Sequence, residues 1–501
     1  MQLPRERTAI VLLVFAGVAL RLWQYLARTS LWIDEIAVAE NVIHTPLAAL
    51  LGQPLALDQV APPGFLALVK GCVALFGPSE LALRLVPLLG GLAALGLFAL
   101  LARRVLPGWT AVLATALFAF SSPVIAYSAE VKQYSTDAAA TIALTLLAIR
   151  LSDRAPSPMR LFGAALAGAA AVWFSQPAVL TLAGLGAGLT WLALRRGGAP
   201  ALRPLLPMLL AWAASAAAAT AAGYRTVPPE MREYMQRFWD PSLPRPTVMV
   251  LVVVGAAVLW IKRPAVAPLL IGPVAVALAA AAAHRYPFSG RAIFFLTPVA
   301  LLAVADVADS IVSGLARVGI PVPVGAGIFA AALAIVTALH LPVYRHEETR
   351  TVLAELAARR QPGDAVYVFY GAERAVRFYG PRVGIDPAGA VIGGCHRGQL
   401  REYLRELDRF RGNPRVWVVF AHASPRLAEQ PAIRGYLESI GKRTASIEAE
   451  GALADLYDLS APDRLTSATA EGHPLPAGNP ELEARYGCGH GPLAATPLQW
   501  Q

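Results

Sequence analysis

The chain has 501 residues, of which 56% are hydrophobic and 15% are charged, and its mean hydropathy is +0.52. Soluble globular domains carry about 25% charged residues, so this composition excludes an ordinary soluble protein and indicates one that meets lipid. The formal net charge is +10. The sequence lacks the interleaved aromatic and basic residues of a nucleic-acid module, so we expect membrane lipids and no nucleic acid as partners.

Continuous apolar runs recur along the first 341 residues. A membrane-crossing helix needs roughly 20 apolar residues, and the runs do not alternate as barrel strands do. The sequence therefore predicts a polytopic α-helical membrane domain, 1–341, with about 11 spans. The predicted spans are 8–27, 80–102, 109–127, 134–150, 160–175, 177–194, 204–223, 247–261, 264–283, 291–308 and 320–341.

The loops between these spans are basic on one side only. The bases of that side are Arg5, Arg7, Arg103, Arg104, Arg150, Arg154, Arg160, Arg195, Arg196, Arg203, Lys262, Arg263 and Arg317. Lys and Arg collect in cytoplasmic loops, which predicts an N-in, C-out chain in a bacterial inner membrane. Loops 28–79, 128–133, 224–246 and 284–290 then face the periplasm.

The first outer loop, 28–79, is too long for a tight connector. It contains an amphipathic stretch, 35–52, and a shorter apolar helix, 63–76. At about 14 residues, the apolar helix is too short for an ordinary span, so both stretches are predicted to lie at the interface.

After residue 342 the composition becomes that of a soluble domain. Amphipathic stretches alternate with apolar runs such as 365–370 and 415–420, which predicts a small periplasmic α/β domain over 342–460. Residues 461–501 are rich in Pro, Gly, Ala and Thr and are predicted to form a flexible tail. Cys395 and Cys488 would lie in an oxidising compartment, where a disulfide between them and two free thiols are both open. A metal site with the nearby His396 and His490 is a third alternative, although the spacing matches no standard zinc pattern.

Adjacent carboxylates, Asp34 and Glu35, follow the first span directly. Adjacent carboxylates repel one another and raise one another's pKa, so such a pair at a membrane surface is electrostatically costly. One interpretation is structural, with Asp34 capping a helix from Glu35 onward. The other is catalytic.

Several short motifs occur in a fixed order on the predicted outer side. They are Asp34-Glu35, Pro62-Pro63-Gly64-Phe65, the stretch 76–85 with Arg84, the stretch 127–134 with Glu130, Lys132 and Tyr134, and Arg285-Tyr286-Pro287 followed by Arg291 and Pro298. Over residues 1–340 this set resembles the C-type membrane glycosyltransferases, the family of protein O-mannosyltransferases and aminoarabinose-to-lipid-A transferases.

The resemblance implies that a hexosyl or pentosyl group moves from a polyprenyl-phosphate donor to a lipid, glycan or protein acceptor hydroxyl, with inversion. Asp34 takes the role of general base, which Glu35 would orient. Arg84, Lys132, Arg285 and Arg291 would bind the donor phosphate, whose charge grows as it leaves. Glu130, Tyr134, Tyr286 and Gln59 would contact substrate.

Each of these assignments has a structural alternative. Lys132 could pair with Glu130, the arginines could extend to the interface, and the tyrosines could be interfacial aromatics. Many relatives carry His or Lys just before the Pro-Pro helix, where this chain has Gln59-Val60-Ala61. No cofactor is expected. A divalent cation is not favoured, because Asp34 and Glu35 have no further clustered acids beside them.

Three other functions remain open from the sequence. A transporter or flippase would place polar residues at the middle of its spans, where this chain is mostly apolar except for Asp137 near the start of one span. A glycan ligase of the cell envelope would share the donor chemistry. A non-catalytic assembly or sensor protein would use the 342–460 domain for binding.

Overall fold

The computed structural model describes residues 5–57, 59–153, 156–226, 246–288, 290–317, 343–423, 428–462 and 469–475. It divides into two compact units. The first unit comprises 1–28, 41–55 and 60–344, and the second comprises 29–40, 56–59 and 345–501. Part of the first outer loop therefore belongs with the C-terminal residues, whereas the sequence predicted one boundary near residue 341.

The N-terminal two thirds of the described chain is helical. Its helices are α1 (Arg5–Leu26), α2 (Ile33–His44), α3 (Leu47–Gly52), α4 (Pro63–Phe76), α5 (Glu80–Val105), α6 (Gly108–Phe120), α7 (Ser122–Ala126), α8 (Tyr134–Asp153), α9 (Pro158–Phe174), α10 (Ala178–Leu202), α11 (Leu206–Thr226), α12 (Pro246–Lys262), α13 (Ala267–Ala282) and α14 (Thr297–Arg317). The predicted span 320–341 lies outside the described residues.

Within those residues, four helical stretches are long and apolar enough to cross a membrane, or five if one bent pair counts as a span. The four are Arg5–Leu26, Glu80–Val105, Ala178–Gly223 and Gly290–Gly314. The other predicted spans correspond to shorter apolar helices or, in α8, to a more polar one. The helical fold is confirmed, while the count of about 11 and the sidedness stay predictions.

The bent pair is α6 and α7, which meet at 56°. A fully buried arginine on α1, Arg21, donates to the carbonyls of Phe118 and Ala119 at 3.3 and 3.2 Å. The last carbonyls of a helix have no partner within it, so this guanidinium satisfies the end of α6 where the chain turns. A charged residue inside a predicted span usually has a polar partner in the folded protein, so Arg21 within 8–27 was a signal in the sequence that we did not use.

An ion-pair network joins α12 to α14. The Arg263 guanidinium contacts both carboxylate oxygens of the fully buried Asp306, at 3.1 and 3.3 Å. Lys262 Nζ lies 3.0 Å from Asp309 Oδ2. Two-pronged arginine contacts fix orientation as well as charge, so this end of the two helices is held in register.

The second unit contains a five-stranded mixed sheet of order β2-β1-β3-β5-β4. Strands β1 (Ala365–Val368), β2 (Val391–Ile392) and β3 (Val416–Ala421) are parallel, while β4 (Lys442–Ala449) and β5 (Ala452–Asp458) form an antiparallel pair joined to β3 through β5. The helices are α15 (Thr349–Arg359), α16 (Glu373–Val383), α17 (Leu400–Asp408) and α18 (Glu429–Ile440). The small mixed sheet confirms the predicted α/β class.

The end of the chain differs in part from the predicted flexible tail. Ala470 is fully buried in the second unit, and the Arg401 guanidinium donates to its carbonyl at 3.0 Å. Arg405 pairs with Glu471 at 2.8 Å. Residues 469–475 therefore pack on α17. Cys395 is disulfide-bonded and Cys72 is a free thiol, whereas Cys488 lies outside the described residues.

Candidate functional site

In the first unit, the segment 127–137 between α7 and α8 is unusually polar for its depth. Glu130 is 4% exposed, Lys132 8% and Asp137 3%. Buried charges are expensive unless they are paired or hydrogen-bonded. Such a concentration of them at the start of α8 therefore suggests function rather than packing.

Two glycines of α5 allow this segment to approach closely. A Cβ added at Gly90 would lie 2.7 Å from Cγ2 of Thr136, and one added at Gly91 would collide with the side chain of Ser128. Arg84 is 2% exposed and lies two helical turns before Gly91, on the same side of α5. It therefore occupies the helix face that packs against the 127–137 segment.

Arg291 approaches the same segment from the turn before α14. Its Nη1 lies 3.9 Å from Oε1 of Glu130, and its guanidinium carbon lies 6.0 Å from the centre of the Tyr134 ring. The Tyr134 ring packs against Tyr127 at 4.9 Å. The Arg291 side chain is 41% exposed, so one cation of this group is accessible to a ligand.

Tyr286 and Arg285, the other two predicted ligand contacts of this unit, lie in different environments. The Tyr286 hydroxyl donates to the carbonyl of Ala292 at 2.7 Å. Burial raises the pKa of the Tyr286 phenol far above its usual value, with smaller contributions from Asp137 and Tyr134. Arg285 is exposed, and its backbone N–H donates to Ala280. Tyr286 is therefore a neutral donor beside the segment, whereas contact of the Arg285 side chain with a ligand stays a prediction.

In the second unit, the two predicted catalytic carboxylates occupy different environments. Helix α2 begins at Ile33, so Asp34 is in its first turn and does not precede the helix as the capping alternative supposed. Glu35 is 1% exposed and its Oε2 accepts the backbone N–H of Trp32 at 3.4 Å, which is half of a capping box. Glu35 thus fixes the helix start, while Asp34 remains partly exposed.

The residues just before α2 are held by the C-terminal part of the chain. Glu348 accepts from both the N–H and the hydroxyl of Ser30, at 3.3 and 3.2 Å. The Tyr379 hydroxyl accepts the N–H of Leu31 at 2.7 Å. These partners are more than 300 residues away, so no local signal in the sequence could have shown them.

Gln59 also belongs to the second unit, and its amide nitrogen donates to the carbonyl of Leu57 at 3.0 Å. This contact forms a local turn. Asp34, Glu35 and Gln59 thus lie in one unit, and Arg84, Glu130, Lys132, Tyr134, Arg285, Tyr286 and Arg291 lie in the other. Among the residues that the structure describes, no three His, Cys, Asp or Glu side chains are placed to hold a metal ion.

Two proteins of known structure are similar to this chain over most of its length. It matches ArnT from Cupriavidus metallidurans in the apo state, with 14% identity and a TM-score of 0.48, over 90% of this chain and 98% of that one. The same protein bound to undecaprenyl phosphate matches with 14% identity and a TM-score of 0.46, over 92% and 99%.

The archaeal oligosaccharyltransferase AglB from Archaeoglobus fulgidus, in complex with an inhibitory peptide and a dolichol-phosphate, also matches. Its identity is 12% and its TM-score 0.47, over 90% of this chain and 74% of that one. No protein-family model matches, and no curated protein matches by sequence. At these identities and TM-scores, the matches assign no role to any residue of this chain.

Proposed function

We propose that this protein is a multi-pass glycosyltransferase of the bacterial inner membrane, with its C-terminal domain in the periplasm. It moves a hexosyl or pentosyl group from a polyprenyl-phosphate donor to a hydroxyl of a lipid, glycan or protein acceptor, with inversion at the anomeric carbon. No cofactor takes part in the proposed reaction.

The observation that carries this proposal is the group of cations around the segment 127–137. Lys132 and Arg84 are buried, and the partly exposed Arg291 lies 3.9 Å from Glu130, two residues before Lys132. The segment follows a predicted span on the predicted outer side, and the phosphate of a membrane lipid lies near the ends of such spans. A fixed set of cations, desolvated on one side, suits a lipid-linked phosphate because such groups interact more strongly in a low dielectric.

The reaction breaks the bond between the sugar's anomeric carbon and the donor phosphate oxygen, and forms a bond from that carbon to the acceptor oxygen. The phosphate changes from a diester to a monoester and gains negative charge as it leaves. Arg84, Lys132 and Arg291 would stabilise that charge, since donors aimed at developing charge lower the barrier most. The acceptor's proton passes to a carboxylate.

Asp34 is the better candidate for that base. Its neighbour Glu35 is buried, and one of its carboxylate oxygens accepts the N–H of Trp32. Asp34 lies in the first helical turn and is partly exposed. Positive potential at a helix N-terminus keeps a carboxylate ionised and therefore ready to accept a proton. Glu35 would set the geometry of the turn.

Lipid and glycan analysis of a strain lacking the gene tests this function. We expect one envelope lipid, glycan or protein to lack a sugar, and the polyprenyl-phosphate sugar that supplies it to accumulate. Complementation with the wild-type chain should restore the product, and complementation with Asp34→Asn should not.

The matched control is Glu355→Gln, an exposed acid of α15 that pairs with Arg359 one turn away. It should restore the product fully. If the protein were a flippase or an assembly protein, Asp34→Asn and Glu355→Gln would restore the product equally well. That result would contradict the proposed catalytic role.

A further inference from the structure

The segment that carries Asp34 is anchored at each of the three residues that precede α2. Ser30 is bound through both its N–H and its hydroxyl to Glu348, and the hydroxyl also accepts the N–H of Arg350 at 3.3 Å. Arg345 lies 3.6 Å from the same carboxylate. The carboxylate therefore joins the segment 29–31 to the start of α15.

Leu31 is fully buried, and its N–H donates to the hydroxyl of Tyr379 on α16 at 2.7 Å. The Tyr379 ring is buried as well. A buried backbone N–H needs a partner, and removing that partner leaves the desolvation penalty of the group uncompensated. The phenol hydroxyl therefore fixes the position of the chain three residues before Asp34.

Trp32 completes the set with ring contacts. Its indole stacks on His346 at 4.5 Å and lies 6.5 Å from the tilted ring of His422. His422 is itself held by Glu347, with Nδ1 2.7 Å from Oε1. It adopts a left-handed backbone conformation, φ 54°, which is uncommon outside glycine and is kept only where surrounding contacts demand it.

We propose that the C-terminal domain positions the catalytic base, with Tyr379, Glu348 and the Glu347–His422 pair as positioning residues for Asp34. This inference rests on the proposed function. The carboxylate of Glu35 accepts the N–H of Trp32. This hydrogen bond connects the anchored residues 30–32 to the first turn of α2, which contains Asp34. A catalytic carboxylate must be held within a fraction of an ångström of its working position, and such precision comes from the groups that support it.

Tyr379→Phe is the sharpest test, because it removes one hydroxyl from a buried ring. We expect kcat for transfer to fall at least tenfold while KM for the donor stays within twofold, since the donor phosphate is held by other residues. Hydrogen exchange of the peptide covering residues 29–40 should accelerate. The matched control is Tyr457→Phe, a fully buried tyrosine of β5 whose hydroxyl donates to Asp455. It should change neither quantity.

A second pair of variants, at Glu348, distinguishes a positioning role from a folding defect. Glu348→Ala should lower kcat as Tyr379→Phe does, and Glu348→Gln, which keeps one acceptor oxygen for Ser30, should recover at least part of the loss with the same melting temperature. Exchange that is unchanged in residues 29–40, or accelerated exchange with unaltered kcat, would overturn the inference.

The proposed function fails separately from this inference. If Asp34→Asn keeps full transfer, the base assignment is wrong whatever the exchange experiment shows. If Asp34→Asn is inactive while Tyr379→Phe equals Tyr457→Phe, the function stands and the positioning role is wrong.

Discussion

The segments 29–40 and 127–137 both bury carboxylates, but they hold them in different ways. In the first segment Glu35 accepts a backbone N–H at the start of its own helix, and its neighbours are bound to residues of the C-terminal domain. In the second, Glu130 lies beside Arg291 and two residues from Lys132. One segment is built to fix the backbone around a carboxylate, and the other gathers charge of both signs where an anion could bind.

This difference suggests a division of labour between the two units. A base must be placed accurately, which backbone hydrogen bonds and packed rings achieve. A phosphate needs charge, which several cations supply together. Substitutions in one segment should therefore affect placement of the base, and substitutions in the other should affect binding of the phosphate.

Replacing Lys132 by Met should reduce kcat/KM for the donor by about 10²- to 10³-fold, as the loss of one donor to developing charge does in other enzymes. Steady-state kinetics with a radiolabelled donor in detergent or nanodiscs measures it. Lys442→Met, at the edge strand β4, is the control and should leave kcat/KM unchanged. If both variants keep wild-type kinetics, the 127–137 segment does not bind the leaving phosphate.

Adding a methyl group at Gly91 should force the 127–137 segment away from α5. We expect Gly91→Ala to lower the free energy of unfolding by about 1–3 kcal/mol, the usual cost of overpacking, and thermal unfolding in detergent measures it. Gly96→Ala on the same helix is the control, because a Cβ there meets nothing within 4 Å. An equal melting temperature for the two variants would contradict the close approach.

Replacing Glu35 by Gln should have a small effect. Glutamine keeps an oxygen for the N–H of Trp32 and is the other residue found at this position of a capping box, so the helix start should survive at a cost below about 1 kcal/mol. Transfer by Glu35→Gln should stay within about threefold of wild type. A loss as large as that of Asp34→Asn would mean that Glu35 is the base and that its cap bond is secondary.

The smallest effect concerns stability of the C-terminal domain. Burial raises the pKa of Glu429, although Tyr403 donates to its carboxylate at 2.9 Å. A raised folded pKa means that this group favours the folded state at acid pH, and that its contribution is lost as pH rises through that pKa. The melting temperature of Glu429→Gln relative to wild type should therefore rise as the pH increases above the ordinary glutamate pKa of 4.5. A difference independent of pH would contradict the shift.

The sequence predicted the helical class and the small α/β domain because apolar length and strand–helix alternation are local signals. It missed α16, whose sequence is polar and contains Gly380-Pro381, and β2, which has two residues. Its hydropathy also gave no sign of the break between α6 and α7, which Arg21 stabilises from another helix.

For the candidate site, loop position and the family resemblance together selected Glu130, Lys132, Tyr134 and Arg291, which lie in or near one segment. The same signals could not separate Asp34 from Glu35, because their difference depends on where α2 begins. They could not show Glu348 or Tyr379 either, since those contacts arise only when the chain folds back. The roles of all these residues stay predictions.

The most direct test of the central claim uses the purified protein with a defined polyprenyl-phosphate sugar and its acceptor, following both products by mass spectrometry and NMR. We expect one polyprenyl phosphate to be released for each glycosidic bond formed, and the configuration at the anomeric carbon to be inverted. We also expect Asp34→Asn to lose at least about 10²-fold in kcat. Asp34→Asn should still bind the donor as wild type does. Transfer that is undiminished in Asp34→Asn, or a product of retained configuration, would contradict the account.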